Sequence, residues 1–392
     1  ERLILVTLAA IQFTHVVDFM ILMPLGPQLM RVFNINSQQF AILVAAYSLS
    51  AGAVGFAGAF FLDRLDRKKA VMGAYIGFAL GTFLCSVSPT YATLLIARII
   101  TGMFGGLLSG LIMSVIGDVI PFERRGKAMG VVMSGFAAAT VFGVPFGLWV
   151  GTQYGWNTPF FFLSGAALII LAGIVFCLPK MTAHMTAAEN TKIYTNFLDI
   201  LKNPSQRSAL LLISIMMFGQ FVMVPFISPY LVANVGFSEL QLTLVYLFGG
   251  VGTLVASTPI GYLADRFGKP QVFTAAVLLV IGPILILTHL GPSPMWLPLI
   301  VSTAMFVLMI ARMVPAMALI TATASDQNRA GFMSLITSVQ QLAAGAGAFI
   351  GGAIVVQSAT GHFLHYPTVG YIAIVANVIA VFLIRRIKPI QS

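Results

Sequence analysis

Four ionisable side chains stand inside long apolar runs: His15, Asp18, Arg98 and Arg312. An ionisable group at the centre of a membrane span costs about 2.5–3.5 kcal/mol on insertion scales, so each is a functional candidate. Asp18 lies about 15 residues into the first run, near the midplane of a hydrocarbon core about 30 Å thick. His15 precedes it by one helical turn on the same face, and Gln12 extends that face. A carboxylate in a partly dry cavity can exchange protons near neutral pH, and an imidazole beside it titrates in the same range. Together they can load and release a proton. Alternatively, Asp18 is a buried acid paired structurally with Arg312 or His15. Arg312 stays charged, so it must meet water, an acid or an anionic ligand. Pairing with Asp18 and direct anion binding are both open here.

Around these groups the runs offer adaptable apolar surface. The seventh run carries Met216, Met217, Gln220, Phe221 and Met223; the tenth carries Met305 and Met309; the fourth carries Phe104 and Met113. Methionine surfaces repack around varied ligands, although methionine at helical spacing also serves core and lipid contacts. Tyr47, Tyr246, Gln340 and Gln341 are further polar candidates, on the second, eighth and eleventh runs. Gly345, Gly347, Gly351 and Gly352 read as close helix packing.

The elements that must position these residues follow from composition. The chain has 392 residues, 59% hydrophobic and 8% charged, with a mean hydropathy of +0.98. A soluble domain carries about 25% charged residues, so this chain belongs in a bilayer. Apolar runs fall at 3–31, 38–62, 70–88, 92–117, 128–151, 159–178, 208–232, 239–264, 271–290, 295–323, 331–357 and 367–386. They are too long for barrel strands. The expected fold is an all-α membrane protein of twelve transmembrane helices. Its organisation reads as an N-terminal six-helix bundle at 1–178, a polar linker at 179–207 and a C-terminal six-helix bundle at 208–392. The lack of Met at Glu1 reads as trimming, and the first run, too long for a signal-peptide core, reads as a span. Cys85 and Cys177 sit in separate runs and read as packed thiols.

The net charge of +10 is explained by topology rather than by nucleic acid. With both termini and the linker on the cytoplasmic side, nearly all Lys and Arg fall inside, and only Arg31 lies near the outer face. The halves repeat at an offset of about 202 residues: Asp63-Arg64 meets Asp265-Arg266, Asp18-Phe19 meets Gln220-Phe221, and Pro24 and Pro27 meet Pro225 and Pro229. Duplicated halves suit a rocking transporter with a midplane site. No nucleophile–base pair, zinc spacing or phosphate loop is visible, so neither an enzyme nor a cofactor or metal is expected.

The run from Gly261 through Asp265, Arg266 and Lys269 resembles the signature loop of the major facilitator superfamily. A looser copy holds Asp63, Arg64 and Arg67, with Ala59 and Asp66 where the family has Gly. Arg98 and Gly102 are similar to a second motif of that family. Gly135, Gly143, Pro145 and Gly147 resemble the glycine-proline motif of its twelve-helix drug/proton antiporters, with Val144 departing from the pattern. The resemblance implies two pseudo-symmetric six-helix bundles whose first, fourth, seventh and tenth helices line a central cavity.

It also implies roles. Asp18, His15 and Arg98 would carry proton coupling. Gln12, Phe19, Phe104, Met216, Gln220, Met223, Met309, Arg312, Tyr246 and Gln341 would line the substrate site. Asp63, Arg64, Arg67, Asp118, Gly261, Asp265, Arg266 and Lys269 would form a cytoplasmic latch. In that latch Asp63 faces the helix start near Gly331, Asp265 the start near Ala128, and Arg67 pairs with Asp118. The expected protein is a monomeric proton-coupled exporter of a small amphipathic molecule in a bacterial inner membrane. A sugar or anionic-metabolite exporter with Arg312 as ligand, and a non-transporting receptor or scaffold, are the alternatives.

Overall fold

The computed structural model describes residues 1–62, 65–121, 124–181, 200, 202–324 and 329–388. Asp63, Arg64 and most of the 179–207 linker lie outside the described residues. Among the described residues, twelve helices are long and apolar enough to cross a membrane. The N-terminal half contains α1 (Arg2–Ile21), α2 (Ser37–Phe61), α3 (Arg67–Ser86), α4 (Tyr91–Val119), α5 (Arg125–Tyr154) and α6 (Thr158–Cys177). The C-terminal half contains α7 (Pro204–Val235), α8 (Glu239–Phe267), α9 (Lys269–Thr288), α10 (Trp296–Thr321), α11 (Arg329–Ile354) and α12 (Tyr366–Ile384). The protein is an all-α membrane protein; its sole described sheet is a two-residue ladder, Val356–Gln357 against Phe363–Leu364, beside the α11–α12 connection.

Short polar residues set the helix starts. Asn36 and Gln39, Thr90 and Thr93, and Ser238 and Gln241 form reciprocal capping boxes on α2, α4 and α8. Each satisfies backbone donors that a helix start leaves open, and loss of such a cap costs about 1 kcal/mol. Asn203 caps α7 through the amides of Ser205 and Gln206, with Pro204 in the first turn. The helix therefore begins at Pro204 rather than at 208.

Proline accounts for the main departures from straight spans. The expected first span, 3–31, is broken: α1 ends at Ile21, and a separate short helix, Gly26–Val32, follows Pro24. A ring without an N–H cannot continue the ladder. In α7, Pro225 sits in a 3₁₀ turn, Val224–Phe226, and the span closes in a π-turn, Leu231–Val235. Gly236, at φ +90°, ends it in a left-handed conformation open to glycine. A second π-turn, Ala139–Gly143, interrupts α5 just before Pro145. Before, within and after that turn the span presents glycine to α1 and to the residues that follow it. A Cβ on Gly135 would lie 2.3 Å from the Ala9 carbonyl, one on Gly143 2.3 Å from Val17, one on Gly147 2.9 Å from Ile21, and one on Gly151 2.7 Å from Leu25.

The apolar core is shared between the halves at one end of the molecule and divided at the other. At the Arg31 end a single cluster runs from Ile21 and Phe40 to Phe226 and Leu242. At the end carrying the basic loops, Leu8, Tyr75 and Ile112 form one cluster, while Ile213, Phe273 and Phe332 form another. Contacts between halves concentrate accordingly. Phe19 meets Phe221 at 5.8 Å between ring centroids and Phe40 meets Phe226 at 6.3 Å. Gly250 of α8 abuts the Thr140 backbone of α5, and Gly352 of α11 abuts Ala41 of α2. Arg31 adds an ion pair with Glu239, the first residue of α8, at 2.6 Å.

The Arg31–Glu239 pair is two-thirds exposed on the arginine side, so its strength is that of a surface pair, at most about 1 kcal/mol. Arg31→Gln should therefore leave the protein folded and move the equilibrium away from this closed end by no more than about fivefold. Distance measurement between labels on the loops around positions 34 and 236 checks this. An unchanged distribution at low salt would show that the apolar contacts alone hold the end shut.

Candidate functional site

α1, α2, α3 and α4 converge on Asp18, which is fully buried. Arg98 Nη1 donates to Asp18 Oδ2 at 2.8 Å and to the Asp18 backbone carbonyl at 3.2 Å. Thr82 Oγ1 donates to Asp18 Oδ1 at 3.1 Å. The Arg98 guanidinium lies 4.4 Å from the centroid of the Tyr47 ring, a cation–π contact strengthened by desolvation. Charge, hydrogen bonds and aromatic face thus offset the cost of burying both ions.

Glycine on α4 makes this convergence possible. A Cβ on Gly102 would sit 2.4 Å from the Tyr47 carbonyl. One on Gly105 would sit 2.5 Å from the Tyr47 hydroxyl and 3.0 Å from His15 Nε2. Gly105 therefore leaves a polar niche onto which both side chains turn. Within it, the Tyr47 hydroxyl and both His15 ring nitrogens have no hydrogen-bond partner among the described residues. His15 packs between Tyr47 and Phe78, with centroid separations of 6.3 and 6.0 Å.

The alternative in which Asp18 pairs with Arg312 or His15 is not the arrangement seen: its ion-pair partner is Arg98, from the same half. Arg312 instead donates from Nη2 to Gln220 Oε1 at 3.1 Å and from Nη1 to Asn377 Oδ1. That cluster joins α10, α7 and α12. Sequence reasoning does not single out Thr82 or Asn377. Asn377 does carry a signal, being an amide inside an otherwise apolar run. Thr82 carries none, because helical threonines routinely satisfy their hydroxyl on the preceding turn.

The remaining candidates divide by burial. Gln12, Phe19, Gln220 and Gln341 are half-buried. Gln341 borders a narrow crevice with Ser109, Ser334, Thr337 and Ser338, between α4 and α11. Met216 and Met223 are packed inside apolar clusters, and Met309 is buried near them. Phe104 lies over Gly77 of α3, where a Cβ would stand 2.5 Å from its ring. Tyr246 shares a hydrogen bond with Ser228 at 2.8 Å. In this form Met223, Met309 and Tyr246 pack in the shared core, whereas Phe104 and Met216 pack in the separate N- and C-terminal clusters.

At the basic end, Arg67 Nε meets Asp118 Oδ2 at 3.0 Å, tying the start of α3 to the end of α4. Asp66 accepts from the Lys68 amide as the α3 cap. Asp265 does not reach the α5 start near Ala128; its exposed carboxylate pairs with Lys269 at 3.2 Å, one turn away. Arg266 lies over the Phe267 ring. A Cβ on Gly261 or Gly331 would meet open space. The small residue expected where helices close up is thus not needed in this form, because the halves have separate cores at this end. Asp63 and Arg64 lie outside the described residues.

Twelve spans in two halves around buried charges narrow the family, and sequence comparison decides it. The family model described as Major Facilitator Superfamily matches residues 8–250 and, again, 209–392. The chain belongs to the major facilitator superfamily. Superfamily relatives include the uncharacterized MFS-type transporter YceJ of Bacillus subtilis, 25% identical over 69% of this chain and 69% of its own length. The inner membrane transport protein YdhP of Escherichia coli is 27% identical over 62% of each chain, so the match spans under two thirds of that relative. Among solved structures, a D-xylose–proton symporter is similar over 96% of both chains at TM-score 0.75 and 18% identity. A bacterial homologue of the human lysosomal transporter Spinster, inward-facing and occupied, matches 97% of this chain and 95% of its own at TM-score 0.73 and 15% identity. The superfamily fold is that of a multi-pass secondary transporter of small molecules, not of an enzyme.

Proposed function

We propose that this transporter exports a small amphipathic molecule in exchange for protons, as in the drug/proton antiporter branch, with Asp18 carrying the proton. The observation that carries this reading is the placement of Asp18. It is the only acid in the middle of any span, and it is buried between Arg98 of α4 and Thr82 of α3. Protonation of its carboxylate removes one charge of the pair, releases the Arg98 guanidinium toward Tyr47, and so changes how α1 packs on α4. His15, beside the same niche, and Arg98 tune that exchange. Substrate meets Gln12, Phe19 and Gln220 between the halves. Half-buried methionines nearby, Met20, Met217 and Met313, give the site tolerance for varied apolar shapes.

The charge asymmetry supports both termini and the 179–207 segment being cytoplasmic, in a bacterial inner membrane, between bundles at 1–178 and 208–392. With that orientation, closure at the Arg31 end makes this an inward-facing form. The basic end then closes in the alternate, outward-facing form, where Asp265 reaches the start of α5, while Arg67–Asp118 keeps α3 tied to α4. Asp265→Asn should leave the present form unaltered within about 0.5 kcal/mol, since its carboxylate is largely exposed and its one described partner is Lys269, a turn away. It should depopulate the outward-facing form. Spin-label distances between the basic ends of α5 and α8 report this, and a wild-type distribution in the mutant would remove Asp265 from the latch.

Transport in proteoliposomes under an imposed pH gradient, screened against a panel of amphipathic compounds, tests the function. Accumulation that follows the gradient and collapses with a protonophore is the expected result. Transport indifferent to the gradient would make the protein a uniporter, and no transport of any compound would favour a receptor.

A further inference from the structure

We propose that Arg312, presented by Gln220 and Asn377, binds an anionic group of the transported molecule, so that the substrate class is amphipathic carboxylates or phosphates. The proposal rests on the transport reading above and specifies its cargo. Arg312 is 1% exposed, and no carboxylate among the described residues forms an ion pair with it. Its two described partners are neutral amide oxygens, one on each terminal nitrogen. They orient the planar fork without neutralising it. Nε has no partner among the described residues. A guanidinium in this state is a fixed, desolvated positive charge with an unused donor, the arrangement that recognises carboxylate or phosphate oxygens.

The internal repeat points the same way. Gln220 occupies in α7 the place that Asp18 occupies in α1, and each is met by an arginine from the fourth helix of its own half. In the N-terminal half the partner is an acid and the pair is neutral within the protein. In the C-terminal half the partner is an amide, and a full positive charge is left over. The N-terminal half is therefore charge-balanced at this level and the C-terminal half is cationic. Gln220 is half-buried, and its neighbour Phe221 faces Phe19 of the opposite half. An anion arriving between the halves meets Gln220 first and, by displacing its amide oxygen, reaches Arg312. Met217 and Met313 provide apolar contact for the rest of the molecule.

Thermal stability of the purified protein in detergent, without any gradient, reads binding independently of Asp18 and of coupling. The probes are 1-naphthoate, 1-naphthyl phosphate and octanoate, each against its neutral counterpart: 1-naphthamide, 1-naphthol and octanamide. At least one anion should raise the melting temperature more than its neutral match. Gln220→Glu supplies an internal counter-ion at nearly unchanged shape and should weaken that anion about tenfold or more, while Arg312→Gln should abolish the difference between anion and neutral match. Gln220→Glu keeps the test intact even where Arg312→Gln does not fold. No anion outperforming its neutral match, or anion binding undiminished in Gln220→Glu, would overturn the proposal and leave Arg312 as a structural brace. Anion binding that persists while gradient-driven transport fails would instead count against the coupling reading alone.

Discussion

Asp18→Asn should insert and fold at reduced stability, because Arg98 loses its counter-ion, and it should bind its substrate but lose transport driven by a pH gradient. Asparagine keeps the side-chain shape and one oxygen to accept from Thr82 or Arg98, and Arg98 retains the residue-18 backbone carbonyl and the Tyr47 face. What is lost is titration. No second acid lies in mid-span to replace it, so exchange of substrate down its own gradient should persist, with a pH profile flattened across the range where coupling operates. The measurement is uptake in proteoliposomes with and without an imposed gradient, at matched protein incorporation. Full gradient-driven activity in the variant would make Asp18 a structural partner of Arg98 and end its coupling role.

The second large effect is on stability. Removing one member of a buried ion pair typically costs about 3–5 kcal/mol, whereas replacing both by apolar residues of similar volume is often neutral or stabilising. Arg98→Met should therefore destabilise strongly, because it leaves the Asp18 carboxylate with Thr82 as its remaining side-chain donor and without a counter-ion. The double variant Asp18→Leu with Arg98→Met should regain most of the loss and remain inactive. Melting temperatures of the single and double variants, combined as a cycle, give the coupling. Additive losses would mean that the two side chains do not hold each other, since independent sites add within about 0.5 kcal/mol.

Much of this arrangement is legible in the sequence, for physical reasons that differ from residue to residue. Insertion cost marks Asp18 and Arg98 individually, since a charge amid apolar residues is conspicuous in one dimension. Their pairing is not, because it depends on α4 approaching α1 closely enough, and that approach is set by Gly102 and Gly105 against Tyr47 and His15. Sequence spacing alone leaves Arg312 equally available to Asp18. Pro24 signals the break after Ile21, yet hydrophobicity runs straight through it, because an apolar ring hides its missing backbone donor. Asp265 illustrates a different limit. Its loop matches the family signature whichever end of the molecule is closed, and only the division of the core at that end explains why it faces Lys269 instead of α5.

The π-turn in α5 bears on how that span can change over evolutionary time. Glycines recurring every fourth or eighth residue drift around an ideal helix, since four residues overshoot a 3.6-residue turn by about 40°. A wider turn at Ala139–Gly143 takes up part of that drift, and Gly147 and Gly151 still face α1 with Gly135. The span is thus phased like a ruled scale with one stretched division. A π-turn holds one more residue than an α-turn for about the same rotation. Deleting a single residue from 139–143 would convert it to an α-turn and leave Gly147 about 20° from the direction of Gly135, since eleven steps of about 100° make three turns and a small remainder. Inserting a residue would instead swing Gly147 and Gly151 off Ile21 and Leu25 by about 100° and drive bulkier side chains against them. The segment can thus lose a residue without losing its phase, but it cannot gain one.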